Sequence, residues 1–130
     1  HEIKALLGVL EGQVKNYIQF AIWTGLRTSE LIALKWSDID LSKRHARIRR
    51  AKVLGREKSP KTKAGNRTVK LLSYALEALV SQEKFTKLQS EYVFHDPRKS
   101  EPWKNDQAIR KVFWYPALVK AKIKKRSIKI

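Results

Sequence analysis

Apolar residues in the first third of the chain recur at helical spacing. Val14, Tyr17, Ile18, Ala21 and Ile22 fall on one face of a 3.6-residue period and predict a helix that ends at Gly25. A second helix is expected after it, capped by Thr28 or Ser29, with Glu30 in its first turn and Leu31, Ile32 and Leu34 on its apolar side. HEIKALLGVL, ahead of both, reads as a short leading helix. Beyond Trp36 the period changes. Asp38 and Asp40 bracket Ile39, a turn follows at Ser42 and Lys43, and ARIRRAKV alternates weakly, as a strand does. GREKSPKTKAGN is a polar loop with Gly55, Pro60 and Gly65, and RTVKL reads as the returning strand. Together these predict an antiparallel hairpin or small sheet with a long cationic turn.

In the second half, SYALEALVSQEK predicts an amphipathic helix with Leu76, Leu79 and Val80 on one side and Ser73 as its cap. EYVFHDPRKSEPW predicts a short strand followed by a loop. A last helix is expected from Asn105 or Asp106, carrying Ile109, Val112 and Phe113, with Pro116 kinking or dividing it. The fold class expected is α+β, mainly helical with a small antiparallel sheet of about three strands, in a single domain over 1–130.

Composition sharpens this picture. With 42% hydrophobic residues and four Trp, 130 residues suit one packed domain rather than a disordered tail. No run of 18 apolar residues is present to span a membrane as a helix, and no signal-peptide pattern opens the chain. The absence of Cys removes disulfides, thiolate nucleophiles and thiolate metal sites together. The chain begins at His1 without Met and ends in KKRSIKI, so it reads as an excised fragment.

Charge carries the strongest functional signal. Lys and Arg number 29 against 12 Asp and Glu, leaving +17. Between Lys43 and Lys70 there are twelve cations and one acid, Glu57. Lys120, Lys122, Lys124, Lys125, Arg126 and Lys129 add a second basic cluster without an acid. A solvated surface kept for solubility is one reading. Clustering favours the other, contact with a polyanion such as nucleic acid.

Several kinds of chemistry lack their residues. The five glycines form no phosphate-binding loop. His1, His45 and His95 lack metal-ligand spacing, and the Asp38-Ile39-Asp40 pair suits Asx turns better than a cation. His95-Asp96 reads as a turn, and no Ser-His-Asp array is visible. Trp36 and the other Trp are expected in the core.

TGLRTSELIALKWSDIDL, residues 24–41, resembles the first signature box of the tyrosine recombinases, the phage-type integrases. In that family a helix ends at Thr-Gly, an active-site arginine follows, and Ser-Glu-Leu opens the next helix. SPKTKAGNRTVKL, residues 59–71, resembles the family's second element, a β-hairpin with an active-site lysine in a Lys-Thr context. YVF and residues 106–122 match later, weaker features, so the resemblance runs from about Glu2 to Lys125.

The resemblance implies site-specific DNA recombination through a 3′-phosphotyrosyl intermediate, with no metal and no other cofactor. Arg27 would stabilise the transition state, and Lys61, with Lys63 as runner-up and Lys58 more distant, would protonate the leaving 5′-oxygen. Glu30 would support Arg27, although a helix N-terminus alone also favours a carboxylate there. Arg27 has a second reading as a helix-capping arginine, and Lys61 as an exposed phosphate contact. Arg44, Arg47, Arg49, Arg56, Lys58, Lys63 and Arg67 are the expected contacts to double-stranded DNA.

By the same resemblance the parent enzyme would act as a tetramer on DNA in the cytoplasm of a bacterial or phage-infected cell, at the nucleoid. The fragment itself would be a monomer or weak dimer. Lys70 stands where the family commonly has proline. The family's preceding DNA-clamping helical domain, His-x-x-Arg box, later His or Trp, and nucleophilic Tyr have no counterpart here. Tyr17, Tyr74, Tyr92 and Tyr115 all lie in unrelated contexts, so the isolated chain is expected not to cleave DNA.

Overall fold

The computed structural model describes residues 2–53, 56–58, 66–105 and 107–120. Helix α1 spans Glu2–Gly8, α2 Gly12–Thr24 and α3 Thr28–Ala33. A 3₁₀ turn, Trp36–Asp38, leads into strand β1, Ile39–Asp40. Strands β2 (His45–Ile48), β3 (Ala51–Val53), β4 (Arg56–Lys58) and β5 (Arg67–Lys70) follow. Helix α4, Ser73–Thr86, is succeeded by strands β6 (His95–Asp96) and β7 (Glu101–Pro102). The last described segment is a π-helix over Ile109–Trp114 running into α5, Tyr115–Lys120. The fold is α+β, as the sequence predicts.

The core forms where α2 packs on α4. Ala75 and Ala78 are small enough to bring the helix axes close, and Ile18, Phe20 and Leu79 fill the seam. Phe94 closes it, edge-on to Tyr17 at 5.2 Å and tilted against Phe20 at 5.6 Å. Polar groups buried here satisfy one another. Asn16 donates to Gln82 Oε1 at 2.9 Å, while Gln82 Nε2 and Thr86 Oγ1 both donate to the Val93 carbonyl, at 3.0 and 2.7 Å. Val80 departs from expectation and is 56% exposed. The buried face of α4 is Ala75, Ala78, Leu79, Gln82 and Thr86, rotated away from Val80 by those side-chain hydrogen bonds.

The main sheet has the order β1-β2-β5 and is antiparallel throughout. Ala46 and Ile48 of β2 are buried while Arg47 between them is exposed, so a one-residue slip would exchange core for charge. Val69 faces Ala46 in register, and Arg67 faces Ile48 on the side that packs toward the helices. Two ribbons, β3–β4 and β6–β7, extend from this unit, and β3 packs against α3.

The hydroxyl caps expected from sequence lie inside their helices, Thr28 and Ser73 as first residues and Ser29 as the second. Arg27 is the N-cap of α3 and Leu72 that of α4, neither with a side-chain cap bond. Buried Leu71, whose N–H bonds the Arg44 carbonyl at 2.8 Å, draws the chain inward so that α4 starts directly after the sheet. Trp36, expected in the core, sits half-exposed at its edge and donates its indole N–H to Thr86 Oγ1 at 3.1 Å. Near the end, the Tyr115 N–H bonds the carbonyl of Arg110, five residues back, and Pro116 brings no N–H to the junction. The backbone stays helical at Tyr115 (φ −65°, ψ −43°), so the segment changes from π to α spacing there and is not divided in two. Asp106 lies outside the described residues, as do the side chains of Val112 and Phe113 and the basic cluster 122–129.

Candidate functional site

Residues 24–30 form a hydrogen-bonded corner. Thr24 Oγ1 donates to the Phe20 carbonyl at 2.8 Å, and Gly25 ends α2 at φ +68° with its N–H on the Ala21 carbonyl. This left-handed conformation is one that glycine adopts freely. Leu26 is 2% exposed and plugs the corner into the core, and so the next residue, Arg27, points outward and is exposed. The sequence Gly-Leu-Arg thus sets an anchor and an outward cation one residue apart.

Glu30 is buried beneath this corner. Its Oε1 accepts the Arg27 N–H at 3.0 Å, the returning half of a capping box. Arg67 closes on the same carboxylate with two prongs, 2.9 Å to Oε2 and 3.2 Å to Oε1, from β5. Burial alone would raise the Glu30 carboxyl, but the Arg67 hydrogen bonds, the Arg27 N–H and both positive charges outweigh it and hold the carboxyl below its usual range. Glu30 therefore supports the backbone of Arg27 rather than its guanidinium. The fork it orients belongs to Arg67, which was expected among the DNA contacts. Among the described residues, nothing hydrogen-bonds the Arg27 guanidinium.

The other basic positions separate by location. Arg47 and Arg49 project from the outer side of β2 and its end, and Arg44 occupies the β1–β2 turn at φ +56°. Arg56 and Lys58 are exposed on β4. Lys61 and Lys63 lie outside the described residues. A polar cleft of about 510 Å³ opens beside β2, lined by Trp36, Asp40, His45, Arg47, Arg49 and Lys87. Asp40 is engaged locally, accepting Ser42 Oγ at 2.8 Å and the Lys43 N–H at 3.0 Å. Asp38 accepts the Lys35 N–H at 3.0 Å and Arg50 at 2.6 Å. No group of three metal-ligating side chains occurs among the described residues.

A second ionic centre escaped the sequence reading. Lys35 Nζ lies 3.0 Å from Glu57 and 2.7 Å from Glu91, with Arg50 Nε 3.9 Å from Glu57. Lys52 is nearly buried, its ammonium 4.1 Å from the centre of the Tyr92 ring, and desolvation pushes its pKa down. The signal available was the isolation of Glu57, the sole acid within a run of cations. His95 and Asp96, expected in a turn, occupy the buried ribbon strand β6. Asp96 folds the 97–100 turn by accepting the Arg98 N–H and guanidinium.

Comparison with known proteins bears on the family and the fold. The phage integrase family profile matches residues 1–126. The prophage integrase IntR of Escherichia coli (strain K12) is 48% identical over 86 residues, 65% of this chain and 21% of that protein. The putative defective protein IntQ of the same strain is 43% identical over 82 residues, 62% of this chain and 21% of that protein. The chain thus spans about a fifth of the length of these relatives. Among solved structures, XerA recombinase superposes with a TM-score of 0.72 at 23% identity, covering 97% of this chain and 42% of that one. The Tn1549 transposon integrase in complex with transposon right end DNA gives 0.73 at 19% identity over 92% of this chain and 42% of that one. The profile match covers nearly the whole chain, so the chain belongs to the phage integrase family.

Proposed function

We propose that this chain is the first part of the catalytic domain of a site-specific DNA recombinase and that Arg27 contacts the phosphodiester being cut. The observation that supports this most is the Arg27 corner, where a permanently charged, planar fork is exposed and its backbone is fixed from two sides. In the reaction envisaged, a tyrosine oxygen supplied by the complete protein bonds to phosphorus as the P–O5′ bond breaks. The leaving oxygen takes a proton from a lysine ammonium, Lys61 or Lys63, and Arg27 meets the charge gathering on the nonbridging oxygens. The product is a 3′-phosphotyrosyl link and a free 5′-hydroxyl, reversed when another strand's hydroxyl attacks. No metal or other cofactor enters any step.

Arg44, Arg47, Arg49, Arg56 and Lys58 supply exposed charge for double-stranded DNA, consistent with the DNA held by the Tn1549 integrase. Assembly as a tetramer on DNA, in the cytoplasm, completes the reading. The test is denaturing gel detection of a covalent DNA adduct with the complete protein. Arg27→Ala is expected to abolish the adduct while DNA affinity persists, and an adduct at the wild-type rate would overturn the assignment. The isolated 130-residue chain is expected to bind DNA and form no adduct.

A second reading, a non-catalytic DNA-binding relic, draws on the similarity to the putative defective IntQ. It predicts DNA binding by the complete protein with no adduct under any condition.

A further inference from the structure

We propose that Arg67 is a positioning residue for Arg27 and acts by keeping Glu30 occupied; the inference rests on the reading of Arg27 given above. Helix α3 is only six residues long, too short to fix its own first turn by backbone hydrogen bonding. Two anchors from elsewhere fix it. Leu26 holds the corner from the α2 side, and Arg67, 37 positions after Glu30, holds it from the sheet.

The Glu30 carboxylate joins the two. Its Oε1 is shared between the Arg27 N–H at 3.0 Å and one prong of Arg67 at 3.2 Å, while Oε2 takes the other prong at 2.9 Å. Bidentate closure leaves the carboxylate a single orientation, which in turn fixes the Arg27 N–H and the direction in which its side chain departs. The electrostatic consequence matters equally. A buried carboxylate three residues from Arg27 is the nearest natural partner for that guanidinium, and pairing them would withdraw the fork from a bound phosphate. Arg67 takes the carboxylate first. Both prongs come from β5, which lies on the core-facing side of its register with Ile48, so the arrangement depends on the sheet being formed.

Competition of this kind has a signature that simple structural support lacks. Arg67→Met should free Glu30 to capture Arg27 and slow single-turnover cleavage of a nicked suicide duplex by the complete protein about 100-fold, the scale expected for misplacing a transition-state contact. Adding Glu30→Gln to Arg67→Met removes the competing charge and should restore a large part of the rate. A merely structural Arg67 predicts the opposite, since losing both partners would then be at least as damaging as losing one. Arg67→Lys, which retains charge with one prong, should fall between wild type and Arg67→Met. It also keeps the test readable if Arg67→Met does not fold, with DNA affinity reporting folding throughout.

Failure of the inference and failure of the reading beneath it are distinct results. If Arg27→Ala cleaves normally, the assignment of Arg27 falls. If Arg27→Ala is inactive but Arg67→Met or Arg67→Lys cleaves at the wild-type rate, or Glu30→Gln deepens the loss, the role of Arg67 alone is overturned.

Discussion

Glu57 on β4 lies 3.0 Å from the ammonium of Lys35, just beyond the end of α3, and ties the β3–β4 ribbon to the body of the protein. Lys35 is shared with Glu91 at 2.7 Å, and Arg50 approaches Glu57 at 3.9 Å. Burial alone would raise the Glu57 carboxyl, but the Lys35 ammonium and the Tyr92 hydroxyl beside it leave it below its usual range. Lys35 moves the other way, its pKa raised by hydrogen bonds to Glu91 and Glu57. An acid in this position separates cations that would otherwise repel one another.

Glu57→Gln should therefore destabilise the chain by about 1 kcal/mol at low ionic strength. The pair is partly exposed, which limits its worth, but removal leaves Lys35, Arg50 and Lys52 without their shared counter-charge. Added salt should shrink the difference, because screening weakens the repulsion that the variant uncovers. Urea unfolding midpoints at low and high salt read this directly. Equal destabilisation at both would mean that Glu57 acts through packing rather than charge.

Glu30 sets an acid limit on the same fold. Its carboxyl titrates lower in the folded chain than in the unfolded one, so the stabilisation is fully present above the unfolded carboxyl's titration near pH 4.5. It is lost as pH falls through the lower folded value. Glu30→Gln should cost about 1–3 kcal/mol at neutral pH, discounted for the partial exposure of Arg67, and should flatten the acid limb of the stability profile. Chemical denaturation between pH 3 and 6 compares the two proteins. A variant whose acid limb stays as steep as wild type would assign the loss to other carboxylates.

Much of this was legible in the chain because local chemistry and packing agree there. The α2 period and the Gly25 stop follow from residues within one turn of each other, and the β2–β5 pairing follows from ARIRRAKV returning at RTVKL. That first run nevertheless splits into β2 and β3, and the segment expected as a loop supplies β4, paired with β3. What was not legible depends on partners far apart in sequence. Arg67 sits in a run of cations and reads as one more DNA contact until the sheet brings it to Glu30. Lys35 gives no local sign that Glu57 and Glu91 converge on it. The α4 face was misjudged at Val80 because Gln82 and Thr86, polar by composition, are buried through hydrogen bonds to the Val93 carbonyl that no periodicity reveals.

Gly25→Ala tests the corner without touching its charges. Nothing lies within 4 Å of where the new Cβ would sit, so crowding contributes nothing. The cost comes from holding a residue with a Cβ at φ +68°, about 1 kcal/mol. Gly25→Asn should cost less, since Asn tolerates this region better. Thermal melts rank the three proteins. Alanine matching glycine would mean that the corner relaxes, and Arg27 would then be expected to shift with it.

DNA binding provides the sharpest separation among the arginines. Arg47 and Arg49 are exposed beside the cleft along β2, whereas Arg67 is held by Glu30. If Arg47 and Arg49 neutralise phosphates, each substitution to Ala should weaken binding similarly on unrelated sequences and reduce the slope of log affinity against log salt by about 1. Arg67→Met combined with Glu30→Gln, which removes the pair without changing net charge, should leave that slope unchanged because no counterion is displaced at Arg67. Fluorescence anisotropy on two unrelated duplexes across a salt series measures all three. A slope that drops with that double variant as much as with Arg47→Ala would place Arg67 on phosphate and dissolve the division of labour between Arg47 and Arg67, whatever geometry the free protein adopts.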